Sequence, residues 1–501
     1  MKHDVVIIGS GMGGLSCGAI LAREGLKVCV LEQNKQIGGT LQTFARDKII
    51  FDSGVHYVGG LDKGQNLYKL FKFLGILEKM KLRKMDEDGF DAILFKDDPV
   101  VYKYAQGYEN FIQTLAKQFP GEEVAIRKYC DGVKSVCSKF PLYNLRSGEF
   151  FEKYDVLDID TQTFLESITS NKKLQNVLAA TSILYAGTAY KTPFYVHALV
   201  INSYIESSWR FVDGGSQIAR ALSKEITSRG GILLKNTKVV LLKEEGGTLQ
   251  YVLTESDEKI YGKIFISNVH PAKTIEMTES SLIKKAFRNR IKSLENSISI
   301  FSVNIVVKKN TLPYLNHNYY YFDQNDAWCV ADYTEENWPR GYALYFSASS
   351  KSATYADGVT VMTYMRFDEM KKWEHTFNTA SKEVYRGDDY EAFKKEKAQK
   401  LFDSVEERFP GFKNAIKKYY VATPLSVRDY IGTDDGTLYG VVKDYREPMR
   451  TFISPRTKVP NLFLTGQNLN LHGILGVSVS AVVTCSEILG KDYILEKIRT
   501  A

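Results

Sequence analysis

The chain has 501 residues, more than one hydrophobic core usually holds, so two or more domains are expected. Its 44% hydrophobic and 25% charged residues, with 37 Gly and 12 Pro, exclude a disordered, collagen-like or low-complexity protein. The net charge of +7 is mild and scattered, which argues against nucleic-acid binding, and the six dispersed cysteines exclude a disulfide scaffold or CxxC site.

Residues 4–8, DVVII, predict a short buried strand, and Gly9 to Gly14 a turn. Small and apolar side chains at 15–24 predict a helix lying on a sheet, ended by Gly25. KVCVLE at 27–32 predicts a second buried strand, so the chain opens on a βαβ unit of a mostly parallel sheet. Glycines interrupt the apolar start, which argues against a signal peptide. Residues 101–230 read as mainly helical, and 231–268 as strands with a hairpin turn at 244–247. Alternating segments at 298–308, 318–322, 342–347 and 359–367 predict an antiparallel sheet. Residues 368–417 read as charged and mostly helical. NLFLT at 461–465 predicts a strand that runs into Gly466, a glycine-rich loop and an apolar helix from about 475 to 489.

The expected fold is α/β. Residues 1–100, 211–275 and 426–501 make a Rossmann-type cofactor domain; 101–210 make a mostly helical substrate or lid region. Residues 276–425 make an inserted α+β substrate domain with an antiparallel sheet. The stretches closest to a membrane span, 174–200 and 474–489, are interrupted by polar residues. A cytoplasmic protein is expected, with peripheral membrane contact left open.

The chemistry is concentrated in glycine clusters. Gly9, Gly11, Gly13 and Gly14 sit between strand and helix, where glycine permits a tight turn and close approach of a pyrophosphate. Glu32, at the end of the second strand with Gln33 beside it, is placed to bind an adenosine ribose and would repel a 2′-phosphate. Further clusters follow at Gly38, Gly39 and Thr40, at 51–60 (FDSGVHYVGG), and at 466–477 with Gly466, Gln467, Gly476 and Val477. A nicotinamide enzyme needs no such repeated clusters, whereas an extended FAD crossing the sheet does. A helix start at 475 near the flavin would stabilise negative charge on the reduced ring.

These motifs, with FVDGGSQIARAL at 211–222 and TPLSVRDYIGTDDGTLYG at 423–440, resemble the flavin amine oxidase and phytoene desaturase superfamily. Within it the chain is most similar to the retinol saturase and carotenoid isomerase branch. The resemblance implies an FAD domain of glutathione-reductase-like topology. It adds Val239, touching adenine, and Asn268 of SNVHP to the cofactor residues. It also implies an oxidoreductase that saturates a carbon–carbon double bond of a long isoprenoid-like substrate, such as a retinoid or carotenoid. Desaturation and redox-neutral isomerisation can share such a pocket; an amine oxidase or a non-catalytic flavoprotein is a more distant alternative. Gln467 and Thr40 depart from the amine oxidase and desaturase patterns and favour the saturase branch. No second nucleotide fingerprint is present, so NAD(P)H or a redox protein is expected to deliver electrons.

The segment 181–211 carries Tyr185, Tyr190, Phe194, Tyr195, Tyr204, Trp209 and Phe211. It reads as core, as the wall of an apolar tunnel, or as a segment that dips into a membrane surface. His56 and His472 lie inside glycine clusters and are candidate proton donors titrating near neutral pH; Tyr57 and Tyr204 are further candidates. No metal-ligand spacing and no GxSxG elbow is present, so no metal is predicted.

Overall fold

The computed structural model describes residues 2–501. Its first sheet grows from the opening βαβ unit. The strand Lys2–Ile8 lies parallel to Val28–Leu31 on one side and to Lys259–Ser267 on the other. Ile232–Leu234 extends the sheet beyond Val28–Leu31, and Leu462–Leu464 pairs in parallel with Lys259–Ser267. Parallel neighbours need a crossover, and the helix Met12–Arg23 supplies the first one. The strands Val239–Glu245 and Thr248–Thr254 form an antiparallel meander joined at Gly246 and Gly247, which matches the predicted hairpin. Segments from the start, middle and end of the chain thus share one Rossmann-type sheet.

Close approach of backbone is what seats the first helix. A Cβ on Gly14 would lie 2.1 Å from the Gly9 carbonyl oxygen, and one on Gly18 would lie 2.8 Å from Ile226 Cδ1. The helix Gly473–Leu489 is apolar on nearly every side and packs on the first helix. There Cys17 Sγ lies 3.6 Å from Thr465 Oγ1 and 3.8 Å from the Ala481 carbonyl.

The second sheet has seven strands. In spatial order they are Ile416–Ala422, Ser299–Val307, Gly358–Met365, Gly341–Phe346, Asn318–Phe322, Asp91–Phe95 and Tyr102–Tyr104. The four segments predicted between 298 and 367 are all strands here. Two features differ from the sequence expectation. Asp91–Phe95 and Tyr102–Tyr104 belong to this sheet, although they precede it by some 200 residues. The pairing of Asp91–Phe95 with Asn318–Phe322 is parallel, so the sheet is not purely antiparallel. A short apolar run announces a strand without naming its partner.

Alternation along these strands sorts their side chains between two cores. Tyr320, Ala343, Tyr345, Met362 and Tyr364 join the core that contains the first helix. Phe301, Tyr321, Tyr342, Leu344 and Val361 face away and are covered by the helix Asp388–Arg408 through Leu401, Phe402 and Val405.

The helix Phe194–Glu206 is buried on most of its surface. Phe194, Tyr195, Tyr185 and Phe211 are core residues, and Tyr190 is exposed. This helix therefore offers no face to a membrane. Among the described residues no helix is long and apolar enough to cross one.

Arg210, on the strand Ser208–Phe211, ties that strand to the second sheet from a position 1% exposed. Its guanidinium donates to the carbonyls of Leu315, His317 and Phe346 and to Asn318 Oδ1, at 2.7–3.0 Å. Arg210→Met would leave these acceptors buried and unpaired. The expected result is a loss of about 3 kcal/mol or more in urea unfolding.

Candidate cofactor and active site

The first half of the site is a cradle of backbone. Gly9 leaves the first strand with φ 92°, in the left-handed region, and its N–H donates to Leu31 O at 2.8 Å. Gly11 caps the first helix without any side-chain hydrogen bond, so the first-turn amides stay open to an anion. Asn268, just past the end of the strand Lys259–Ser267, is wedged among three glycines. A Cβ on Gly11, Gly13 or Gly466 would come within 2.5–2.8 Å of its side-chain amide. Gly38 (φ 115°) donates to Ser10 O at 3.0 Å, and a Cβ on Gly39 would lie 3.2 Å from Gly11 Cα. The Thr40 side chain packs against Gly54.

Glu32 is buried beside this cradle. Its Oε2 accepts from the Ser10 N–H and hydroxyl, at 3.1 and 2.5 Å, and its Oε1 accepts from Asn34 N–H at 2.8 Å. Thr237 N–H donates to Glu32 O, which brings the start of the Val239 strand alongside. Gln33 is exposed, with its amide beside Gly432 and outside the cradle. Sequence reasoning passed over Ser10, whose hydroxyl orients the carboxylate.

The second half is a cavity between the glycine clusters and the second sheet. The space there, its solvent-filled mouth included, is about 1200 Å³. Met12, Thr40, Gln467, Gly476 and Val477 line one side, and Tyr57, Tyr204, Tyr345 and Tyr439 line the other. The helix Gly473–Leu489 begins at this wall, also with no side-chain cap. Gly476 packs tightly, since a Cβ there would meet Leu471 at 2.7 Å. Gln467 is held by donation to Leu438 O at 3.3 Å. Of the aromatic segment, Tyr204 reaches the cavity, stacked 4.4 Å from Tyr57.

Both candidate histidines line the cavity. His56 stacks on Tyr345 with centroids 4.1 Å apart, and His472 leans on Tyr439 at 4.7 Å. The expectation that they titrate near neutrality is corrected. Burial, with a smaller push from Arg210, lowers His56 to about 3. Burial also lowers His472 to about 4, against the opposing hydrogen bond to Leu184 O. That carbonyl, 2.9 Å from Nε2, can only accept, so the His472 proton sits on Nε2 and is committed there.

Among the buried titratable groups that escaped the sequence reading are His197 and Asp91. His197 lies between the Tyr129 and Tyr185 hydroxyls at 2.6 and 2.8 Å, in the core away from the cavity, and burial lowers it to about 3. Asp91 opens the apolar strand Asp91–Phe95 and is 0% exposed. It accepts from the Tyr57 hydroxyl and from Asn318 Nδ2, each at 2.8 Å. Burial raises it to about 7, with those hydrogen bonds and Arg210 opposing. A lone carboxylate within GFDAILF was the available signal.

Fold and cradle define a Rossmann-type α/β protein with a second, mixed sheet. A family model described as an NAD(P)-binding Rossmann-like domain matches residues 7–74. Across its length the chain is similar to the all-trans-retinol 13,14-reductase of Rattus norvegicus, 27% identical over 536 residues, covering 98% of this chain and 86% of that one. It is 24% identical over 519 residues to prolycopene isomerase 1 of an Oncidium hybrid cultivar, covering 99% and 85%. An oxidoreductase from Methanosarcina mazei shares the fold, with TM-score 0.66, 14% identity and coverage of 97% of this chain and 100% of that one. The full-length matches support the retinol saturase and carotenoid isomerase family for this protein.

Two outcomes are expected. Gly13→Ala places a methyl 3.0 Å from Gly466 Cα and should weaken dinucleotide binding about 100-fold or more in a fluorescence titration, with circular dichroism unchanged. His56, His197 and His472 stay neutral in the fold, while the unfolded chain takes up protons below about pH 6.5. Their stabilising share is therefore complete above pH 6.5 and is lost as pH falls. Buried Asp91 and Asp52, raised to about 7, act in the opposite sense, so the readout is the difference: between pH 6.5 and 4.5 the urea midpoint of His56→Gln should gain on that of wild type.

Proposed function

We propose that the protein binds FAD and reduces a carbon–carbon double bond of a long apolar isoprenoid-like substrate, such as a retinoid or carotenoid. The observation that supports it best is the meeting of two uncapped helix starts with a tyrosine-lined cavity. The residues present fit the group. The open amides after Gly11 and the bare surface of Gly11, Gly13 and Gly39 suit a pyrophosphate. Glu32, oriented by Ser10, suits a ribose, and the strand start at Val239 suits adenine. Gln467, Gly476 and Val477 suit the ribityl chain and ring.

When bound and reduced, flavin supplies a hydride to one alkene carbon. The chain supplies the rest. The amides at the start of Gly473–Leu489 favour negative charge at the cavity wall. Tyr204, Tyr345 and Tyr439 give a polyene flat apolar contact and exclude water. His56 and His472 are read as neutral groups that hold this wall: the His472 proton is committed, and a neutral imidazole N–H is a poorer acid than a phenol. NAD(P)H or a redox protein is the proposed electron source.

Anaerobic mixing of the reduced protein with a series of polyene alcohols and carotenes tests the reading. Reoxidation of flavin with a product two hydrogens heavier is the expected result. Unchanged mass with altered geometry would favour an isomerase, and no change in any polyene would overturn both.

A further inference from the structure

One buried carboxyl in the second sheet is unused by anything above. Asp91 has no solvent exposure, and both groups that donate to it, Tyr57 and Asn318, are neutral. The cation beside it, Arg210, directs its Nη donors to three carbonyls, the Tyr314 hydroxyl and Asn318 Oδ1, and none of its donors reaches Asp91. Asn318 thus stands between guanidinium and carboxyl. A buried carboxylate without a contacting cation is expensive, so such a site favours the protonated acid, whose Oδ2–H then donates to the Tyr57 oxygen and frees the Tyr57 hydroxyl proton. Its Oδ2 is bonded to the hydroxyl of Tyr57, a residue that lines the cavity. The Tyr57 hydroxyl also lies 2.8 Å from the Tyr320 hydroxyl, which is 3.5 Å from that of Tyr345.

Resting on the reading of the reaction given above, we propose that Tyr57 is the proton donor to the substrate and that Asp91, behind it, is the store of that proton. The alkene gains a hydride, two electrons and one hydrogen, at one carbon from reduced flavin. The other carbon forms its C–H bond as the Tyr57 O–H bond breaks. The Asp91 proton passes to the Tyr57 oxygen in the same motion, so no phenolate accumulates and the carboxyl is left ionised. After product leaves, one solvent proton entering the open cavity restores Asp91 through Tyr57. Burial holds the Tyr57 phenol far above its usual range, which makes it a poor acid alone and one that needs a backing carboxyl.

The charge of Asp91 is set by what surrounds it: Asn318 and Tyr320 on one neighbouring strand, Tyr104 on the other, Arg210 on Ser208–Phe211, Tyr57, Tyr204 and Tyr345. Burial raises the carboxyl to about 7. The loaded form therefore prevails below pH 7 and is lost above it.

The test uses flavin-loaded wild type, Asp91→Asn and Tyr57→Phe, each checked for flavin content. The wild-type minus Asp91→Asn difference infrared spectrum of the resting proteins should show a protonated-carboxyl band at pH 5 that fades as pH rises through about 7; Asp52, which burial raises to the same range, cancels in the difference. Absence of the band from that difference overturns the proposal whatever the activity. With a polyene that wild type reduces, turnover should fall as pH rises through 7. Both variants should be slower by about 100-fold or more, and Asp91→Asn should lose the pH dependence. Variants with the wild-type rate and profile would overturn the relay and leave the reaction standing. A wild type that reduces no polyene, with the infrared band present, would overturn the reaction itself and with it the relay's role.

Discussion

The close approach of the first helix to the first strand is the constraint on which the rest depends. A Cβ on Gly14 would lie 2.1 Å from the Gly9 carbonyl, so only glycine lets the helix start where it does. That placement puts its uncapped first turn beside Asn268 and Gly466. It also sets the surface on which Gly473–Leu489 packs, and hence where a second uncapped helix start opens. Two positive backbone ends at one groove follow from a single steric requirement.

The second sheet answers that groove with side chains instead of backbone. Its period of two sends Tyr320, Tyr345 and Tyr364 toward the cofactor side and Tyr321, Tyr342 and Leu344 toward the helix Asp388–Arg408. A one-residue slip would exchange these sets and remove the aromatic wall. Arg210 resists such a slip, because its guanidinium is bonded to acceptors on two neighbouring strands of this sheet, Asn318 on one and Phe346 on the other. Structural rigidity and the isolation of Asp91 therefore share one cause, since the Nη donors of the same arginine are directed elsewhere.

The desolvation that makes this cavity suitable for an apolar ligand also changes its titratable groups. It lowers His56 and His472 and raises Asp91, so burial reverses the usual assignment of which residue holds a proton at neutral pH. Histidine is the ordinary choice for proton transfer only where water reaches it. Here the carboxyl behind a phenol is poised near 7.

The sequence alone determined the backbone part of this protein. Glycine spacing, the strand endings at Ile8, Leu31 and Leu464, and the carboxylate at Glu32 were legible because φ, close approach and period are local properties. The cradle residues Gly11, Gly13, Asn268 and Gly466 do come together, and Gln33 points elsewhere. Only the tertiary structure decided that Asp91–Phe95 pairs with Asn318–Phe322 and that, of the aromatics between 181 and 211, Tyr204 reaches the cavity while Phe194 and Tyr195 fill core. It alone decided the protonation of the cavity, because the energy of a buried charge depends on every neighbour within a few ångströms, and those neighbours come from distant segments of the chain.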